Sequence, residues 1–184
     1  MAKHLTRAEL QAGLPHILES PGDDGVLEAI VVRPAPGERL DVESREISLA
    51  GGVHGDHWAK GCWMSSEEGR PHPDVQICIM NARCLALVAG ERARWPLAGD
   101  NLIVDLDLSP ENLALGQRLR IGGATIEITA VPHTGCKAFA ERFGQSAVVF
   151  VNGPRGRALR LRGVYARVVA DGRITVGDRV VKVA

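Results

Sequence analysis

The sequence predicts a mainly β fold, an antiparallel β-barrel with a few short peripheral helices and an N-terminal amphipathic helix. Three observations predict it. About eight or nine short stretches of β-branched and alternating apolar residues recur along the chain, separated by turn signals. Glycine (21) and proline (10) are frequent enough in 184 residues to punctuate many short elements. Helical patterns are too few and too scattered to supply the crossovers of a parallel sheet.

The elements follow in order. Thr6 and Glu9 form a T-x-x-E capping box, and Leu10, Leu14, Ile17 and Leu18 make one apolar stripe that Ser20-Pro21-Gly22 stops. The expected organisation is a helical appendage over residues 1–22 and a barrel domain over residues 23–184. Residues 26–33 read as a strand ended by Pro34-Ala35-Pro36-Gly37, and residues 42–47 as a second. A glycine-rich stretch from Gly51 to Trp58 and a polar loop through Arg70-Pro71-His72-Pro73 come next. Residues 75–80 alternate like a strand, residues 82–91 read as a helix and residues 102–106 as a further strand. Ser109-Pro110-Glu111 combines an N-cap residue, a proline at the first helical position and an acid, which together start one helical turn. Residues 119–121, the Gly122-Gly123 turn and residues 124–131 make a hairpin. A helix over residues 137–143 stops at Gly144, residues 148–151 read as a strand, and residues 154–161 as a short helix. Residues 164–169 and 179–183 are closing strands around an Asp171-Gly172 turn. The segments at residues 115–119 and 176–180 echo one another, each a glycine turn feeding a strand, and mark barrel corners rather than a solenoid.

Bulk properties exclude several classes. Lysine plus arginine and aspartate plus glutamate both number 22, so no bulk charge favours nucleic acid or an anionic membrane. No apolar run approaches a membrane span and the N-terminus has no signal-peptide core, so the expected location is the cytoplasm. Cys62, Cys78, Cys84 and Cys136 then read as reduced thiols, with no C-x-x-C among them.

Cys136 stands where a strand ends and a helix begins, in Pro132-His133-Thr134-Gly135-Cys136-Lys137. Unpaired helix N–H groups favour a thiolate there, and Lys137 and His133 act in the same direction if they turn inward. A thiolate is both a nucleophile and a soft metal ligand; a cysteine is also a small core hydrophobe. Cys78 and Cys84 lie in apolar company and read as structural, and Cys62 as exposed. The stretch Gly51-Gly52-Val53-His54-Gly55-Asp56-His57 lets backbone approach a ligand closely, or is a tight loop with Asp56 bonding local backbone. His54, His57, Cys62 and His72 are zinc-type ligands without zinc-type spacing. Asp100-Asn101 is either a turn or a pair of hydrogen-bonding groups facing the cleft of Cys136.

The order of these motifs resembles the MOSC domain family, named for the C-terminal domain of molybdenum-cofactor sulfurases. It runs Gly55-Asp56-His57, Val75-Gln76-Ile77, Gly99-Asp100-Asn101-Leu102, Leu115-Gly116, Cys136 after a strand, then Arg162-Gly163-Val164 and Val176-Gly177-Asp178. The resemblance covers nearly the whole chain and implies a β-barrel with one key cysteine, matched here by Cys136. That cysteine carries sulfur as a persulfide or ligates molybdenum in the pterin cofactor (molybdopterin), with His133 and Lys137 keeping it ionised. Asp56, His57 and Asn101 match positions that border the cofactor cleft. Many members have Arg-x-Pro-Cys where this chain has His133-Thr134-Gly135-Cys136, so imidazole replaces guanidinium.

The resemblance implies a small stand-alone bacterial-type member, with neither the pyridoxal-phosphate domain nor the extra N-terminal β-domain of larger members. The implied function is a sulfur carrier or molybdenum-cofactor-binding protein, in metal–sulfur cofactor assembly or in reduction of N-hydroxylated compounds. As an enzyme it would be a sulfurtransferase or a component of a molybdenum-cofactor-dependent reductase. Its partners would be a sulfur donor such as a cysteine desulfurase, or a separate electron-transfer protein. The competing reading is a non-enzymatic barrel that binds a partner or an anionic small molecule, with Cys136 structural.

Overall fold

A computed structural model describes residues 4–184. Its centre is a closed barrel of seven strands. In barrel order these are β1 (Gly25–Val32), β11 (Arg179–Val183), β7 (Arg118–Ile121), β8 (Ala124–Ile128), β9 (Val164–Ala170), β5 (Ile77–Asn81) and β6 (Leu102–Asp105), which returns to β1. A short strand β2 (Leu40–Val42) extends from β1. Closure removes the free edges that would otherwise template pairing with another chain. A second, three-stranded sheet joins β10 (Gly172–Thr175), β3 (Ser44–Ser48) and β4 (Gly52–Val53).

One barrel pairing is parallel, β5 with β6, and it follows from the connection between them. A parallel neighbour needs a crossover. Here that crossover is α3 (Ala82–Ala89) followed by a 3₁₀ segment, Arg92–Ala98. Gly99, at a φ of 82°, ends the crossover and delivers Asp100 and Asn101 to the start of β6.

Strand periodicity explains two cores. Ile30 and Val32 of β1, Ile77 and Ile79 of β5, and Leu102 and Val104 of β6 fill the barrel interior. The alternate residues Ala29, Met80 and Ile103 point outward and are still buried, because helices cover that side. The cover consists of α1 (Arg7–Leu18), α3, α4 (Lys137–Phe143) and α5 (Gln145–Asn152). The Thr6–Glu9 capping box is formed, and α1 buries Leu10, Leu14 and Ile17, while Leu18 at the end of the stripe is half exposed. Phe139 and Phe143, one turn apart on α4, meet edge to face at 4.8 Å between centroids. A four-residue helix α2 (Trp58–Gly61) and α6 (Pro154–Ala158) complete the chain.

Several local expectations need correction. Residues 148–151 are helical, within α5, because Ala147, Phe150 and Val151 form one buried face at helical spacing while Val149 faces solvent. A short valine run carries no decisive period, and tertiary packing chose the helix. Residues 42–47 split at Glu43 into β2 and β3, which join different sheets. The hairpin strand stops at Ile128 instead of continuing to Val131. Residues 172–175 are a strand in their own right, so β9 and β11 are not partners. Among the described residues no helix is long and apolar enough to cross a membrane.

Candidate functional site

Two buried arginine–carboxylate pairs stand next to each other. The first joins Arg33, at the end of β1, to Asp56 in the loop after β4. Nε reaches Oδ2 at 2.8 Å and Nη2 reaches Oδ1 at 2.9 Å, a bidentate pair. Asp56 also accepts the backbone N–H groups of Arg33 and Trp58 and the side-chain amide of Asn101. Burial works against its charge, but Arg33 outweighs burial and holds the carboxyl below the usual carboxylate range. Asn101 is fully buried. Its Oδ1 accepts from Arg33 and from the Cys78 N–H, and its Nδ2 donates to Asp56 and to the Val31 carbonyl.

The second pair joins Asp100 to Arg162, in the turn before β9. Arg162 Nη1 lies 2.8 and 2.7 Å from the two carboxylate oxygens, and Nη2 donates to the Ala98 carbonyl. Burial raises the Asp100 pKa, and the guanidinium beside it pulls the other way. His133 Nδ1 is 3.6 Å from Asp100 Oδ1, too long and without the geometry of a hydrogen bond, so this nitrogen is buried without a partner. The imidazole stacks on Tyr165 at 4.3 Å between centroids. Burial, with Arg162 and Arg33 nearby, holds its pKa well below the ordinary histidine value, so the ring is neutral at pH 7. Cys78 lies between the pairs, 3.5 Å from Arg33 Nη1, and burial pushes its thiol pKa up.

Cys136 is three residues beyond His133, at the N-cap of α4, with extended backbone and no side-chain capping bond. It is solvent-exposed. The peptide before it is clamped from α5: Gly135 N–H donates to Asn152 Oδ1 at 2.8 Å, and Asn152 Nδ2 donates back to the Gly135 carbonyl at 2.9 Å. The loop is therefore held, while the thiol at its end is free. Phe139, on the first turn of α4, lies under Arg162 at 4.9 Å and joins the cysteine's helix to the second pair.

The geometry reassigns most of the residues predicted to surround Cys136. Asp56 and Asn101 come together, and their polar atoms are engaged by each other, Arg33 and backbone, so they form the floor. His57 caps α2 from 3.7 Å beside Asp56, with Nδ1 buried and no hydrogen bond made. Lys137 does not turn inward. Its side chain is 92% exposed and its ammonium is 3.9 Å from Glu141. A neutral His133 and an outward Lys137 supply no inward positive charge to the thiol. Cys62, expected exposed, is half-buried against Val75, Cys78 and Tyr165, while Cys84 is buried with its thiol pKa pushed up to about 12.

Sequence reading missed Arg33, Arg162, Tyr165 and Asn152. The first two left a signal. Each is a cation bordering an apolar run that becomes a barrel strand, Val31-Val32-Arg33 and Arg162-Gly163-Val164. A charge in such a place implies a buried acidic partner.

A closed barrel that carries one exposed, clamped thiol beside a buried ionic floor defines a class of cysteine-bearing β-barrel proteins. The MOSC domain matches residues 53–181, and the chain belongs to the MOSC domain family. That membership places it among proteins of sulfur and molybdenum-cofactor chemistry. Similar folds occur in the YUAD protein from Bacillus subtilis, at a TM-score of 0.61 and 19% identity over 85% of this chain and 93% of that one. YiiM from Escherichia coli matches at a TM-score of 0.55 and 18% identity, over 86% of this chain and 70% of that one. A protein described only as hypothetical matches at 0.59 and 20% identity, over 88% and 70%. No curated protein matches.

Proposed function

We propose that Cys136 is the working residue of a sulfur-carrier or molybdenum-cofactor-binding protein. The observation that supports this is selective exposure. Of the four cysteines only Cys136 is exposed, and its loop is the one pinned by a two-point amide clamp. As a sulfur carrier, the Cys136 thiolate attacks the outer sulfur of a persulfide on a donor such as a cysteine desulfurase. A new S–S bond forms at Cys136, the donor's S–S bond breaks, and its electron pair leaves on the donor thiolate. No external oxidant or reductant is needed.

The residues present also fit a pterin-borne metal. Among the described residues no group of three or more His, Cys, Asp or Glu could hold a bare ion. A metal that brings the sulfur ligands of its own pterin needs one further soft ligand, and an exposed thiol is such a ligand. Arg39 adds a cation whose Nε is buried and unpartnered, with Arg33 and Arg142 repelling it. It suits an anionic group of the cofactor. Cys136 would hold the metal and Arg39 the anionic end. The bound cofactor would supply the redox centre for reducing N-hydroxylated compounds, with electrons from a separate cytoplasmic protein.

The test is mass spectrometry after incubation with a cysteine desulfurase and cysteine, with metal analysis of protein expressed in a cofactor-producing host. The expected result is a gain of about 32 Da on Cys136, or stoichiometric molybdenum, each abolished by Cys136→Ser. That substitution should leave stability within about 0.5 kcal/mol, as for other exposed sites. Absence of both adduct and metal in the unaltered protein would sink the proposal.

A further inference from the structure

A separate cavity of about 250 Å³ opens beside the segment that leads into Cys136 but does not include the cysteine. Its wall carries Arg157, Arg160, Arg162, His133, Thr129 and Thr134, and no aspartate or glutamate lines it. Arg162 is already paired with Asp100, yet its Nε is buried without a partner, on a side chain only 7% exposed. Arg160 spends its Nη1 on the Leu108 and Leu113 carbonyls, the latter at 2.6 Å, and those bonds neutralise no charge. Arg157 is exposed and has no side-chain hydrogen bond or ion pair among the described residues. Arg160 also sits at a φ of 49°, a left-handed conformation disfavoured for a non-glycine residue.

We infer that this cavity binds a small dianionic oxyanion: a phosphate or sulfate group, free or on an ester of a few carbons. No carboxylate stands in the cavity wall, and Arg157 and Arg160, the latter within the field of Glu111, offer positive charge to a phosphate monoester, which is dianionic near neutral pH. The Thr134 hydroxyl and the Arg162 Nε–H are further donors for its oxygens, while the Thr129 hydroxyl is already given to the Asp74 carbonyl. The volume sets the size limit, since pockets for drug-sized ligands begin at about 300 Å³. A nucleotide does not fit and a few-carbon ester does. The inference stands apart from the sulfur chemistry of Cys136.

Calorimetric titration of the full chain at constant ionic strength tests it, with inorganic phosphate, glycerol 3-phosphate and adenosine monophosphate as probes. Saturable binding of phosphate or glycerol phosphate is expected, unchanged in Cys136→Ser and weakened about tenfold in Arg157→Gln, the loss of one charge-assisted contact. Tighter binding of the ester identifies a phosphorylated small molecule as the occupant, and equal binding identifies the free anion. The Arg157 side chain makes no bond to the described residues, so its replacement leaves folding intact; Arg160→Gln is the second probe. The inference is overturned by an absence of saturable binding to either small probe. It is equally overturned if neither arginine variant changes affinity, or if adenosine monophosphate binds more tightly than both.

Discussion

The ionic floor and the cysteine loop lie side by side and follow opposite rules. In the floor, Asp56 and Asn101 have every polar atom engaged, and Asp100 is fixed by two contacts from Arg162. In the loop, all the fixing is done to backbone: Asn152 holds Gly135 at both ends of its peptide, and the Cys136 side chain is left alone. The contrast teaches where to look for chemistry in such a barrel. A charged, buried cluster attracts attention as an active site, yet its Asp56–Asn101 half is fully engaged within the fold. On the function proposed above, the working group is the one the fold positions without touching.

Three experiments can break that comparison. The largest effect should come from Arg162→Ala, which leaves the Asp100 carboxylate buried and unpaired. Breaking such a pair costs about 3–5 kcal/mol, measurable by denaturant unfolding. A loss below about 1 kcal/mol would mean that the floor does not hold the fold.

The second effect is a pH gradient. Asp100, Arg162 and Arg33 face His133 in the folded chain, and Tyr165 stacks on it. Its folded pKa lies well below the unfolded value of about 6.5, so the unfolded chain binds a proton that the folded chain refuses. The stability that His133 contributes is complete above pH 6.5 and is lost as pH falls from there through the folded pKa. The slope for one proton is at most about 1.4 kcal/mol per pH unit. His133→Phe, which keeps a ring against Tyr165, should flatten the stability curve between about pH 6.5 and 5. An unchanged slope would show that another group carries it.

The smallest expected effect on stability is that of Asn152→Ala, about 1 kcal/mol for two partly buried hydrogen bonds. Its consequence for the thiol should be larger. Once unclamped, Cys136 should change its rate of reaction with a thiol reagent, while the half-buried Cys62 keeps its own. Equal rates in the two proteins would mean that the clamp does not position the cysteine.

Much of this was legible in the sequence. The capping box, the stop at Gly144 and the hairpin at Gly122-Gly123 are local signals, and the structure keeps all three. The order of motifs identified the family. What stayed hidden is non-local. Arg33 meets Asp56 across 23 residues and Arg162 meets Asp100 across 62, and only barrel closure brings them together. Asn152 was hidden by the valine run before it, which reads equally well as a strand until Phe150 is seen to share a face with Ala147. His133 and Lys137 were given an inward role by their distance along the chain from Cys136, but direction is set by packing. A ring that can stack on Tyr165 goes in neutral, and an ammonium with nothing apolar to cover stays in water.

The packing of α1 has a practical consequence for handling the protein. Leu10, Leu14 and Ile17 share one apolar cluster with Ala147, Phe150 and Val151 of α5, and α5 ends in the asparagine that grips Gly135. The first helix therefore buttresses the loop of a cysteine more than a hundred positions away. A shortened version of the chain, trimmed to the family's matched region, would keep every residue of the thiol's own segment. It would still lose the brace behind it.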